Sequence, residues 1–154
     1  KVSSERRRYI PLGFIGPETF CSDLVFLIAD ASVYQFGVLH SQFHNAWMRT
    51  VCGRLESRYR YSGGVVYNNF VWPNPTSKQQ EAIEACAQAI LDTRDNYPDK
   101  SLANLYDPDK MPADLLAAHR ALDAAVEAAY GVNFDGDEEK IVAHLFKLYA
   151  QATA

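Results

Sequence analysis

Two kinds of apolar periodicity meet near Trp72-Pro73-Asn74-Pro75. Before that boundary, short apolar runs punctuated by Gly, Pro, Asp and Ser predict strands around one helix. Tyr9–Ile15 is an apolar run ended by Gly16-Pro17, and Pro11 restricts it to an edge or interrupted strand. Leu24–Ile28 is apolar throughout and is expected to be a strand buried on both faces. Ser32 and Gln35 match a capping box opening a helix to about Cys52. Phe36, Leu39, Phe43, Trp47 and Val51 form its buried stripe, and Gly53 is its expected stop. Arg54–Tyr61 then alternates with period two, so that in an extended segment Arg54, Glu56, Arg58 and Arg60 project from one face. Gly63-Gly64 reads as a hairpin turn, with Val65–Tyr67 as the returning strand.

After the boundary the period becomes helical. Thr76 and Gln79 repeat the capping-box pattern, and Ile83, Cys86, Ala87, Ile90 and Leu91 make a stripe. Residues 97–110 read as a connector anchored by Leu102, Leu105 and Tyr106. Pro112 suits a first helical position, and the stripe Leu115, Leu116, His119, Leu122, Val126 and Tyr130 runs to Gly131. Asp135–Glu138 places acidic groups at the start of a last helix, with Ile141, Leu145, Leu148 and Tyr149 inward. The expected fold is α+β: a small mixed β-sheet with a packed helix, then a C-terminal three-helix module. The expected division is 1–73 and 74–154.

Composition adds size and sign. At 154 residues and 48% apolar content, the chain can bury a substantial core. It begins with Lys1, not Met, and has no signal peptide or long apolar run; a cytoplasmic piece of a longer protein, without membrane contact, is expected. Cys21, Cys52 and Cys86 have no metal-site spacing and are expected as buried free thiols. The net charge of −4 is unevenly spread. Residues 1–73 hold eight Lys/Arg against five acids, while residues 74–154 hold seven against fourteen. Such asymmetry suggests a nucleic-acid face on an acidic, solvated scaffold.

Candidate chemistry concentrates in Arg54-Leu55-Glu56-Ser57-Arg58-Tyr59-Arg60-Tyr61. Guanidinium bonds bidentately to guanine O6 and N7, and carboxylate accepts from cytosine N4, so Glu56 with Arg58 can read one C:G pair. The alternative is a polar strand face on which Glu56 only pairs with its neighbours. Arg6-Arg7-Arg8 reads either as a solvated arm or, with Arg54, as phosphate contacts. His40 and His44 share a helix face, but no third ligand follows, so they are assigned to packing and no metal site is expected. Asn68-Asn69-Phe70 partly matches the Asn-Pro-Pro-aromatic loop of amino-methyltransferases but lacks both prolines. Those asparagines are assigned to backbone groups at a strand end, and no catalytic residue is expected.

The Arg54–Ser62 stretch, followed by Val66-Tyr67-Asn68-Asn69-Phe70-Val71-Trp72-Pro73, resembles the C-terminal part of the MmeI-like family. The similarity extends through Arg8–Phe14, Phe36–Leu55, Leu102–Pro112 and the final Leu145–Tyr149. Members join a nuclease, an adenine-N6 methyltransferase and a target recognition domain in one polypeptide. The resemblance implies that 1–73 is the later part of the recognition domain and 76–154 the helical C-terminal module. It further implies that Glu56 with Arg58 selects C, that Lys1, Asp23, Leu24 and Arg60 are further specificity positions, and that double-stranded DNA is the partner. Catalysis and S-adenosylmethionine binding would belong to an upstream methyltransferase domain, with no cofactor held here. The rival expectation is a structural module whose helices brace that domain without base readout.

Overall fold

The apolar stripe that begins at Phe36 is carried by two helices, not one. The computed structural model describes residues 1–154 and places α1 at Val33–His40 and α2 at Gln42–Val51. Between them Ser41 is extended (ψ 162°), and its side chain caps α2 by accepting from the His44 amide. The break has a reason. The amide of Gln42 at the start of α2 donates to Asp123 Oδ1 (2.7 Å), a partner a continuous helix could not reach. The capping box at Ser32 forms as expected. Gly53 does not end α2, since Cys52 caps it in an extended conformation and Gly53 opens the next strand.

The sheet is small and antiparallel throughout, where a mixed one was expected. Its strands are β1 (Val2–Ser3), β2 (Gly53–Leu55) and β3 (Arg58–Arg60), in the order β1-β3-β2. Neither predicted apolar strand forms. Tyr9–Ile15 is irregular, with Tyr9 and Ile10 buried and Phe14 and Ile15 exposed. Leu24–Ile28 is an irregular loop whose Leu24 is 71% exposed, so apolar content there does not mark a core. Gly63–Tyr67 is a single π-helical turn in place of a hairpin and strand. The Phe26 ring packs against Gly63, where an added Cβ would lie 2.7 Å from it.

The helices follow the sequence more closely. They are α3 (Ser77–Asp95), a one-turn α4 (Leu102–Leu105) within the connector, α5 (Ala113–Ala129) and α6 (Glu138–Ala152). Pro112 is the N-cap of α5, one position earlier than expected. Gly131 is left-handed (φ 71°) just beyond α5, where a side chain would be strained. Asp137 caps α6 by accepting from the Lys140 amide. One cluster of 22 buried residues spans both halves of the chain, from Tyr9 through Trp47 and Phe70 to Leu145. Helix α3 packs on α5 and α1, and α2 packs on α6. Gly37 permits the α1–α3 approach, since a Cβ there would lie 2.9 Å from Ile83. The three thiols are half-buried and free, less enclosed than expected. No helix is long and apolar enough to cross a membrane.

Polar groups inside this core form bonded chains. Arg94 of α3 is buried among Phe36, His40 and Tyr106, and donates to the Leu12 carbonyl (2.7 Å) and to Tyr106 Oη. Because Tyr106 Oη accepts from Arg94, its own proton goes to His119 Nε2, 2.7 Å away. His119 is then neutral with its proton on Nδ1, and burial holds its pKa down to about 3. Burial does the same at His44, also to about 3, and lowers His40 well below the ordinary imidazole range. Asp123 accepts from Tyr9 Oη and the Gln42 amide, yet burial raises its pKa to about 6.

The histidines are neutral when folded and take up protons when unfolded at pH below about 6.5. Stability therefore falls as pH drops from 6.5 towards 4. Asp123 works in the opposite sense between about 6 and 3.8 but offsets only about one of three protons. Thermal melts across this range should show the fall, and His44→Gln should flatten it. A melting temperature flat between pH 7 and 4 would contradict buried neutral imidazoles.

Candidate nucleic-acid interface

The arginine-rich stretch folds as a hairpin closed by only two residues, Glu56 and Ser57, between the paired Leu55 and Arg58. Its first turn residue, Glu56, is left-handed (φ 58°) while Ser57 is not, the pattern of a turn that favours glycine at that position. A non-glycine residue there costs on the order of 1 kcal/mol or more. The turn also reverses the expected alternation. Arg54 pairs with Tyr59, so the two share one face, while Arg58 and Arg60 share the other with Leu55. The four charged residues therefore do not project from one face. Arg54, placed by sequence among the outward-reading groups, turns back onto the protein.

Each guanidinium has a different environment. The Arg54 head lies 4.1 Å from the centroid of the Tyr59 ring and donates to the Ser57 carbonyl (2.9 Å). Arg58 Nη2 donates to Glu56 Oε2 at 2.9 Å; their side chains are 47% and 78% exposed. Arg60 is exposed and makes no side-chain hydrogen bond or ion pair. Tyr59 between them is buried and roots β3 in the core. On the other edge of β3, Val2 pairs with Arg60 and the Tyr61 amide donates to the Lys1 carbonyl (2.6 Å).

This edge also gathers the predicted outlying positions. The Lys1 backbone nitrogen donates to the Leu24 carbonyl (2.7 Å), tying the 22–28 loop to the sheet. Phe26 packs beside Tyr61 and Tyr67, with centroids 5.4 and 5.7 Å away. Lys1, Asp23, Leu24 and Arg60 are thus brought to one end of the hairpin, all exposed. Tyr61 Oη lies 2.8 Å from His44 Nε2, and Trp47 Nε1 donates to the Val66 carbonyl, so α2 supports both the hairpin and the π turn. Asn69 Nδ2 caps that turn through the Gly64 and Val65 carbonyls, in line with the backbone role expected of it.

Arg6-Arg7-Arg8 is engaged elsewhere. Arg6 pairs with Asp109 (2.6 Å), the Arg8 guanidinium lies over Tyr9, and the Arg8 carbonyl accepts from Arg49. Arg49 in turn forms a two-pronged pair with Glu138 at 2.8 and 2.9 Å. This run lines an open groove with Glu5, Gln42, Arg49 and Glu138, of mixed sign. The Glu-Ser turn carries no local signature, because neither residue is a usual hairpin signal. Recognising it would have reversed the face assigned to Arg54.

The site is a charged hairpin held up by a buried tyrosine, with an exposed loop stitched to its edge, on an α+β scaffold. The chain belongs to the MmeI family: residues 1–74 match the model of the MmeI target recognition domain and residues 75–154 that of the MmeI C-terminal domain. It is 43% identical over 153 residues to DNA methyltransferase A of Bacillus subtilis (strain 168), covering 99% of this chain and 17% of that protein. It also superposes on the type IIL restriction–modification enzyme MmeI, solved in complex with DNA, with a TM-score of 0.96 and 49% identity. That match covers 99% of this chain and 20% of the MmeI chain. The chain thus spans a fifth or less of the length of these relatives.

The left-handed Glu56 carries a direct expectation. Glu56→Gly relieves the backbone strain and loses only an exposed ion pair, worth about 0–1 kcal/mol. It should leave stability unchanged or raise it by up to about 1 kcal/mol, whereas Tyr59→Ala should lower it by about 3 kcal/mol. Denaturant titrations of both variants check this; a marked loss on Glu56→Gly would make Glu56 a structural residue.

Proposed function

We propose that this chain is the sequence-reading portion of a longer DNA adenine-N6 methyltransferase, in which Glu56 and Arg58 select a C:G base pair. The observation that carries the reading is the hairpin tip. A long charged side chain occupies a strained position that glycine would fill more easily, and its carboxylate stands 2.9 Å from an exposed guanidinium. Strain kept at an exposed tip points to a use for the side chain. Cytosine N4 and guanine O6 are hydrogen-bonded to each other within their pair, so adjacent carboxylate and guanidinium heads suit them together. The ion pair of the free protein is exchanged on DNA for Arg58 on guanine and Glu56 on cytosine. Each well-placed bidentate contact is worth about 1–3 kcal/mol of discrimination.

In this reading Arg60, Lys1, Asp23 and Leu24 meet neighbouring base pairs, since the sheet edge gathers them at the open end of the hairpin, and Arg60 lies on the same face as Arg58. Arg7 and Arg8 stand ready for phosphates, as does Arg6 once released from Asp109, a surface pair of small worth. The relatives' DNA methyltransferase and restriction–modification descriptions support a DNA partner and an enzyme as the whole. S-adenosylmethionine and the flipped adenine would be held by a methyltransferase portion outside these residues. Such an enzyme works in the cytoplasm, where the DNA is.

The test is an exchange of the pair in the full-length protein, Glu56→Lys with Arg58→Asp, followed by single-molecule sequencing of methylated adenines in the host genome. One specified C in the motif should become G while the other positions stand. An unchanged motif at normal methylation would show that the pair does not read that base.

A further inference from the structure

Arg54 has been counted above among candidates for phosphate contact, but its surroundings are those of a brace. Three observations converge. It shares its sheet face with buried Tyr59, opposite the face of Arg58 and Arg60. Its guanidinium lies over the Tyr59 ring at 4.1 Å. Its Nη1 donates to the Ser57 carbonyl, 2.9 Å away, across the two-residue turn. That carbonyl belongs to the peptide joining Ser57 to Arg58, so the bond constrains the direction in which the Arg58 chain leaves. The turn has no glycine to make its left-handed residue easy, and strained residues persist only where their surroundings over-determine them.

We propose that Arg54 is a positioning residue: clamped between the Tyr59 ring and the Ser57 carbonyl, it fixes the recognition turn and thereby sets base selectivity without touching a base. This rests on the reading of Glu56 and Arg58 as the base-selecting pair. The chemistry demands arginine. A planar guanidinium lies flat on a ring while donating in its own plane, whereas an ammonium is a compact point charge without that fork. Arg54→Lys therefore keeps the charge and removes the clamp, which separates positioning from simple phosphate attraction.

The experiment uses the full-length enzyme with Arg54→Lys, Arg54→Gln and, alongside, the Glu56→Lys/Arg58→Asp exchange. Methylation rates are measured on duplexes carrying C:G or G:C at the pair read. DNA affinity is followed against salt, and hydrogen exchange of the 53–61 segment is followed without DNA. Arg54→Lys should lower the C:G preference about tenfold, part of what a bidentate contact supplies. The salt slope should stay unchanged, and exchange around Glu56–Arg58 should become faster. Selectivity retained in Arg54→Lys, with Arg54→Gln weakening both duplexes equally and lowering the salt slope by about one contact, would overturn the proposal and make Arg54 a phosphate ligand. If the double exchange itself leaves base preference unaltered, the reading of Glu56 and Arg58 fails instead. Hydrogen exchange then decides for Arg54 alone: faster exchange in Arg54→Lys upholds the clamp, and unchanged exchange removes it.

Discussion

The first thirty-odd residues have almost no regular structure, and a buried irregular backbone must still find hydrogen-bond partners. Everything else in this fold depends on how that is met. The Ile10 amide donates to Asn45 Oδ1, the Leu12 carbonyl accepts from Arg94 and the Arg8 carbonyl accepts from Arg49. These three side chains come from α2 and α3, so the segment is pinned by helices on either side of the residue 74 boundary. Leaving one such group unpaired inside the core would cost about 1–3 kcal/mol. Pinning the segment delivers β1 to the free edge of β3, and with it the loop that carries Asp23 and Leu24. That edge is thus a consequence of side-chain-to-backbone bonds well away from it.

Arg94 shows why the two halves act as one body. It has no carboxylate partner; its charge is met by a carbonyl, a phenol and the faces of Phe36 and Tyr106. Such a group is tolerable only when every donor has a target, since burying a charge without partners is far more costly than burying an amide. Its partners lie in the N-terminal segment, in α1 and in the connector after α3. Removing the helical segment would therefore strip the recognition half of both apolar cover and hydrogen-bond donors. A helical C-terminal unit that looks like an appendage by composition is part of the same core.

How much of this was legible follows from which forces periodicity records. The stripes of α3, α5 and α6, both capping boxes and the end of the α5 stripe at Gly131 were all readable, because local geometry and one apolar face decide them. Leu24–Ile28 was misread because an exposed apolar loop and a buried strand share a composition. The break at Ser41 depends on Asp123, 81 positions beyond Gln42, which no local pattern can register. At the hairpin, the period-two alternation of Arg54, Glu56, Arg58 and Arg60 was real as a sequence pattern but false as a face. Two of the residues counted as strand form a turn, and the parity changes across it. Glu56 and Arg58 stand out in the sequence by chemistry alone, since carboxylate and guanidinium are the groups that pair with cytosine N4 and guanine O6/N7, whatever face they occupy.

That parity change bears on how such a surface could vary. Tyr59 is buried and roots the hairpin, with the exposed Arg54 guanidinium laid over its ring, while Glu56, Arg58 and Arg60 stand outside every buried cluster. Substitutions at an exposed tip away from packing usually move stability by no more than about 0.5 kcal/mol. Base preference, by contrast, turns on contacts worth about 1–3 kcal/mol each. The fold thereby separates two demands. Buried residues are constrained by packing, and the exposed ones, in the proposed reading, by the base they would meet. The left-handed Glu56 is the exception, since its backbone prefers glycine while the proposed reading needs its carboxylate; it is where these demands conflict. A clamp from the neighbouring strand is the physical means of meeting both at once, and the Arg54 guanidinium stands where such a clamp must be.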